Sequence, residues 1–251
     1  MLKLTTLSSV TGLAAVLLFT SHVSAVYTGL TVSKYTTLTV DGVNRDVWRI
    51  YANFTNPNDR LLAGSGLNTP NSLVLESRNA ADNGPGSPFY NAIGGTNRPP
   101  TQADIDGSPS LQWDSFVTIG ISIADQAPYG DQMFFSPGFP NLAGTTYSAQ
   151  NAGWLCVPTI DEDGNPATPE ISNPQTQAGF LGDGDPLLRV LMAQLTTDAG
   201  GNVRGTVAVT AWDAGAGSGY TLGGQTFNSV PMPPGLALLG FAALGRRRRK
   251  R

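Results

Sequence analysis

The chain has 251 residues, only 13% of them charged, with 30 glycines, 18 prolines, one cysteine and one histidine, and a formal net charge of −3. The histidine is His22, close to the N-terminus, so the rest of the chain can build neither a Ser-His-Asp or Cys-His nucleophile system nor an imidazole-based zinc or copper site. A single cysteine, Cys156, excludes an internal disulfide.

The first segment is a targeting element. Met1-Leu-Lys3 is a short basic start, Val10 to Phe19 is mostly apolar, and Val23-Ser-Ala25 is a small-residue cleavage site. This order predicts a signal peptide over residues 1–25, removed by a signal peptidase, and a mature start near Val26. A retained N-terminal helix is the alternative, opposed by an apolar run that ends early, at Thr20-Ser-His22.

Residues 26–229 form one predicted all-β domain, an antiparallel β-sandwich with long loops rich in Gly, Pro and Asp. Val26–Val32 and Thr36–Val40 are predicted as two strands with threonine-rich faces. Trp48, Ile50, Ala52 and Phe54 alternate with Arg49, Tyr51 and Asn53, the period of a half-buried strand. In Phe116–Ile123, residues Val117, Ile119, Ile121 and Ile123 share a face. Leu191, Ala193 and Leu195 do so in the next run, and Val203, Val207, Val209 and Ala211 in the one after it. Asp198-Ala-Gly-Gly-Asn202 reads as a hairpin between these last two runs. Residues 78–110 and 158–187 show turn chemistry without helical periodicity.

Three acidic clusters have the oxygen ligands that calcium takes, six to eight at a time. They are Asp104-Ile-Asp-Gly107, Asp161-Glu-Asp-Gly-Asn165 and Asp183-Gly-Asp185. The second places Asp161, Asp163 and Asn165 at the first three alternate positions of an EF-hand loop. Pro166 and Ser172 then stand where such a loop needs glycine and glutamate. Asp-Gly turns form readily without metal, so no cofactor is required, and calcium is the one these clusters would suit. Trp113 and Trp154, at strand edges, are the candidates for stacking on sugars, whereas Trp48 and Trp212 belong to strand patterns. Cys156, in an apolar setting, reads as a small buried hydrophobe. Setting aside Lys3 and the six terminal bases leaves eight basic residues against 18 acidic ones, a net −10. Nucleic acid is a poor partner for such a body, since phosphate binding needs clustered Lys and Arg.

The last segment, residues 230–251, has three parts. Val230-Pro-Met-Pro-Pro234 comes first, then an apolar run from Gly235 to Gly245, then Arg246, Arg247, Arg248, Arg249, Lys250 and Arg251. As a helix the eleven-residue run would reach about 16 Å, roughly half the ~30 Å of a bilayer core. Pro231, Pro233 and Pro234 stop a helix from extending backwards. The basic cluster would stay on the cytoplasmic side. A transient membrane hold suits these dimensions better than a permanent anchor.

This tail resembles the PEP-CTERM sorting region of exported bacterial proteins. Val230, Pro231, Met232 and Pro233 stand where that family carries Val-Pro-Glu-Pro, with Met232 in place of the glutamate. The resemblance implies recognition and tail removal by an exosortase-type membrane protease, and a destination in the cell envelope or extracellular matrix, where exopolysaccharide is a partner. Val47–Leu62 and Trp113–Gly120 also resemble segments of uncharacterised secreted planctomycete-like proteins, with no activity attached. Taken together, the sequence leads to a non-enzymatic exported protein. A calcium-assisted carbohydrate-binding module is the first alternative. The second is a carboxylate-based polysaccharide hydrolase, which would need two acids about 5–10 Å apart.

Overall fold

The computed structural model describes residues 27–125, 133–139, 142–156, 178 and 188–230. Eleven strands form among them: β1 (Tyr27–Val40), β2 (Val43–Phe54), β3 (Arg60–Ser65), β4 (Leu73–Arg78), β5 (Phe116–Val117), β6 (Met133–Phe135), β7 (Thr146–Ala149), β8 (Gly153–Cys156), β9 (Arg189–Asp198), β10 (Asn202–Asp213) and β11 (Ser218–Asn228). They make two antiparallel sheets, one ordered β1-β2-β9-β5 and the other built around β10. The all-β sandwich expected from the periodicity is the observed architecture.

In the second sheet β10 pairs along one edge with β11. Its other edge carries β3 on residues 208–212 and β4 on residues 202–206. β8 and β6 continue outward from β3, and β7 from β4. The core between the sheets holds Trp48, Ile50, Ala52 and Phe54 from β2, and Val203, Val207, Val209 and Ala211 from β10. These are the residues that the alternation assigns to buried faces.

Four expectations are corrected. The two strands expected at Val26–Val32 and Thr36–Val40 are, from Tyr27 on, one long strand, β1, whose register shifts between Lys34 and Thr36. Lys34 and Thr36 pair with the neighbours Trp48 and Val47, so Tyr35 is an extra residue that bulges without ending the strand, and Asp41 and Gly42, both at positive φ, close a two-residue hairpin loop between Val40 and Val43. Asp198–Asn202 does not make a hairpin. β9 and β10 lie in different sheets, so the turn carries the chain across the sandwich, and the Asp46 carboxylate accepts from Gly200 N at 2.8 Å to hold it.

The strand expected over Phe116–Ile123 is regular only at Phe116–Val117. Gly120 then takes φ 82°, although Thr118 N and Gly120 N still donate to Met192 and Leu191. Residues 102–107 form a short helix, α1 (Gln102–Gly107), where a loop was expected; a capping box of Thr101 and Asp104 starts it.

β9 shows why simple alternation fails in places. Ile50 faces Ala193 and Tyr51 faces Leu191, so Met192 is an extra residue in the ladder. The alternation therefore changes phase, and Val190, Met192, Ala193 and Leu195 all reach the core. The other face of β9 is covered by the 89–118 segment. Tyr90 N donates to Thr196 O, Thr196 N to Ser115 Oγ, and Gln194 Nε2 to the carbonyls of Gln112 and Asp114.

Candidate functional site

A groove lies beside the end of β11. The end of β11 is tied back to β10: Ser229 N donates to Val203 O, and Val203 N to Ser229 Oγ, both at 2.9 Å. Val230 N then donates to Asn228 Oδ1 at 2.9 Å. Val230 lines a groove of about 810 Å³. Leu30, Thr31 and Val32 of β1 contribute to it, with Thr226, Phe227 and Asn228 of β11 and flanking residues of β4 and β10.

Gly205 lets the groove floor close. A β-carbon there would lie 2.3 Å from Val74 O and 2.6 Å from the Phe227 ring, so Phe227 rests directly on the β10 backbone. At one side Arg204 Nε meets Glu76 Oε2 at 2.6 Å, with Asp82 3.8 Å from Arg204 Nη1 and Arg78 within 4.0 Å of Glu76. Two arginines and two acids neutralise one another there. The groove thus offers apolar surface from Leu30, Val32, Val74 and Phe227, rimmed by Thr31, Thr206, Thr226 and Asn228.

The structure does not bring the sequence-predicted site residues together. Val230 lies at the groove, while Pro231, Met232, Pro233 and the cluster Arg246–Arg251 lie outside the described residues. So do Asp161, Asp163, Asn165, Asp183 and Asp185. Of the acidic clusters only Asp104-Ile-Asp-Gly107 is described, and it works as helix chemistry. Asp104 accepts from Thr101 N and Oγ1, bonds that hold its carboxyl below the usual range, and Asp106 accepts from Gln102 Nε2. Among the described residues no three His, Cys, Asp or Glu side chains are grouped to hold a metal.

Trp154 is corrected as a stacking residue. It is 2% exposed, its Nε1 donates to Thr118 O at 3.0 Å, and Phe139 meets it edge-on at 5.7 Å. Gly64 faces the ring so closely that a β-carbon would sit 2.4 Å from it. Trp154 is a centre of the core, and an indole in that position has no face left for a sugar. Trp113 is half-buried against a second small cluster of Val40, Tyr90, Ala92 and Leu111. Cys156 is buried, as its setting suggested.

Two buried acids escaped the sequence reading. Asp46, 1% exposed, accepts from Lys34 Nζ at 2.7 Å, Thr37 Oγ1 at 2.5 Å and Gly200 N at 2.8 Å. Burial pushes its carboxyl up, but these donors outweigh burial and hold it below the usual range. Asp114, also 1% exposed, accepts from Ala92 N at 2.9 Å and is further held by the backbone of Ser115 and Thr96. There burial prevails, and the carboxyl is pushed up to about 7. The available signal was a lone acid within the apolar run Leu111-Gln-Trp-Asp-Ser-Phe-Val117, since an acid enclosed by apolar residues either finds donors or loses its charge.

The class that this geometry defines is an all-β sandwich with a groove at the point where the C-terminal segment departs. Comparison with protein-family models, with curated proteins and with solved structures found no match.

Proposed function

We propose that this is an exported, non-enzymatic protein of the cell envelope or extracellular matrix, sorted through its C-terminal tail. The observation that carries the reading is the order of parts at the end of the chain: a Val-Pro-Met-Pro motif, a short apolar run, then six consecutive bases. A signal peptide at the other end agrees with it. The body supports it too, because β11 ends at Asn228 and the motif opens two residues later. The motif therefore follows the last strand directly, and a membrane protease would meet it at the border of a folded domain. Signal peptidase and an exosortase-like protease are the processing partners, with exopolysaccharide the matrix component nearest to the product.

Intact-mass analysis of the native secreted protein tests this. The expected species starts near Val26 and lacks Arg246–Arg251. A mature protein that keeps the basic cluster would sink tail removal and leave membrane retention in its place.

A further inference from the structure

The groove crosses three neighbouring strands, and their register sets its side chains in rows. Arg204 of β10 faces Glu76 of β4 on one side and Asn228 of β11 on the other. Two residues along, Thr206 faces Val74 and Thr226 in the same way. All six line the groove. Residues two apart on a strand share a face, so the two rows belong to one surface. Neighbouring strands lie about 4.8 Å apart, which repeats the polar groups of a row at about the length of a sugar ring.

These polar groups are only partly used within the protein. Glu76 Oε2 accepts from Arg204 Nε at 2.6 Å, which leaves the other carboxylate oxygen to accept. Arg204, its side chain 38% exposed, keeps further N–H groups to donate. Asn228 is bonded to Val230 N through Oδ1, so its amide nitrogen still donates. Among the described residues no side-chain bond holds the hydroxyls of Thr206 or Thr226, and each can both donate and accept. Leu30, Val32 and Phe227 supply apolar surface beside them.

Charge decides which ligand suits this lining. Glu76 and Asp82 balance Arg204 and Arg78 through contacts of 4.0 Å or less, so the groove has no net charge to offer an ion. A polyanion would also meet a body with eight basic residues against 18 acidic ones. A lipid chain would strip water from Glu76 and Arg204 without replacing the lost hydrogen bonds. An uncharged polyhydroxylated ligand uses the whole mixture: its hydroxyls bond to the rows of donors and acceptors, and its C–H faces rest on the apolar side chains.

We propose that this groove binds an uncharged polysaccharide, its volume of about 810 Å³ taking roughly two or three sugar units. The proposal rests on the matrix reading, in which exopolysaccharide is the partner, and gives that partner a chemistry and a place. A groove that binds no glycan would leave the sorting role of the tail standing, since intact mass tests that separately.

Affinity electrophoresis of the full chain tests the proposal, in gels carrying galactomannan, xyloglucan or dextran as neutral probes and polygalacturonate as the acidic one. At least one neutral polysaccharide should retard the chain, by an amount unchanged between about 0.05 and 0.5 M salt because no net charge is screened. Thr206→Val combined with Thr226→Val keeps the shape of both side chains and removes their hydroxyls; it should weaken binding roughly tenfold. Asn228→Ala should weaken it in the same direction, and urea midpoints matching the parent's confirm that both variants are folded. No retardation by any neutral probe would overturn the proposal, as would retardation that both variants retain. Retardation by polygalacturonate alone, lost at high salt, would also overturn it and assign the body an anionic ligand.

Discussion

Asp114 shows how much one carboxyl can hold. Its side chain joins the backbones of Ala92, Thr96 and Ser115, and its own carbonyl accepts from Gln194 of β9, so it fastens the 89–118 segment over the first sheet. Gly95 leaves the room, since a β-carbon there would sit 2.1 Å from Asp114 Oδ2. With a carboxyl at about 7 in the folded state against 3.8 ordinarily, the native protein binds the extra proton between those values. Stability should therefore fall as pH rises through that window and level off above it. Between pH 5 and pH 8 the loss should be roughly 2–3 kcal/mol, from about 1.4 kcal/mol per unit. Urea midpoints at the two pH values measure it, and Asp114→Asn should flatten the difference whatever it does to stability at pH 5. A midpoint that rises toward pH 8 in the parent would contradict the assignment. Asp46 acts in another window. Its carboxyl is held low, so its contribution is lost only as pH drops below 3.8.

At the scale of elements, what was legible in the sequence was whatever depends on local period. The β2 and β10 faces follow from strict alternation. What was hidden depends on long-range pairing. The extra residue Met192 changes the phase of β9, and no pattern within residues 189–196 announces it. The link after β9 looks like any two-strand turn until its apolar strands are seen to face each other across the core. Trp154 lay at the edge of its apolar run and therefore looked accessible, yet β6 and β3 flank β8 on both sides. Trp154→Ala should cost about 3–5 kcal/mol, and Gly64→Ala, which pushes a methyl into the indole, about 1–3 kcal/mol, both read by chemical denaturation. If Trp154→Ala instead leaves stability intact and weakens glycan binding, the core assignment is wrong. The acidic clusters Asp161–Asn165 and Asp183–Asp185 of the sequence carry the calcium expectation. If those clusters bind calcium in the native state alone, millimolar calcium raises the melting temperature by mass action, and alanine at Asp161 and Asp163 removes the shift. A melting curve indifferent to calcium and chelator would leave these clusters without a metal role.

For the molecule as a whole, the question is whether a body without histidine can turn over a substrate. Acid–base chemistry near neutral pH most often uses imidazole, and a carboxyl replaces it only if its surroundings lift it toward neutrality. Among the described residues burial raises the carboxyls of Asp59 and Asp114, and lifts that of Asp114 to about 7. A group of that kind is ordinarily a first suspect for catalysis. Its position argues otherwise. Asp114 is 1% exposed, its oxygens are taken by backbone donors, and it lies beneath the loop that it fastens, so no substrate proton comes within hydrogen-bond reach. The acid at the groove, Glu76, is paired with Arg204 at 2.6 Å. No turnover is therefore expected when the chain is assayed on a panel of polysaccharide, ester and peptide substrates from pH 5 to pH 8, although binding of glycan without hydrolysis is compatible with the groove. The decisive result would be activity abolished by a single Asp→Asn or Glu→Gln change. Loss on Glu76→Gln would place catalysis in the groove. Loss on Asp114→Asn, in a protein still folded by its denaturation curve, would show that the fastening loop opens to admit substrate and that the raised carboxyl is the working acid.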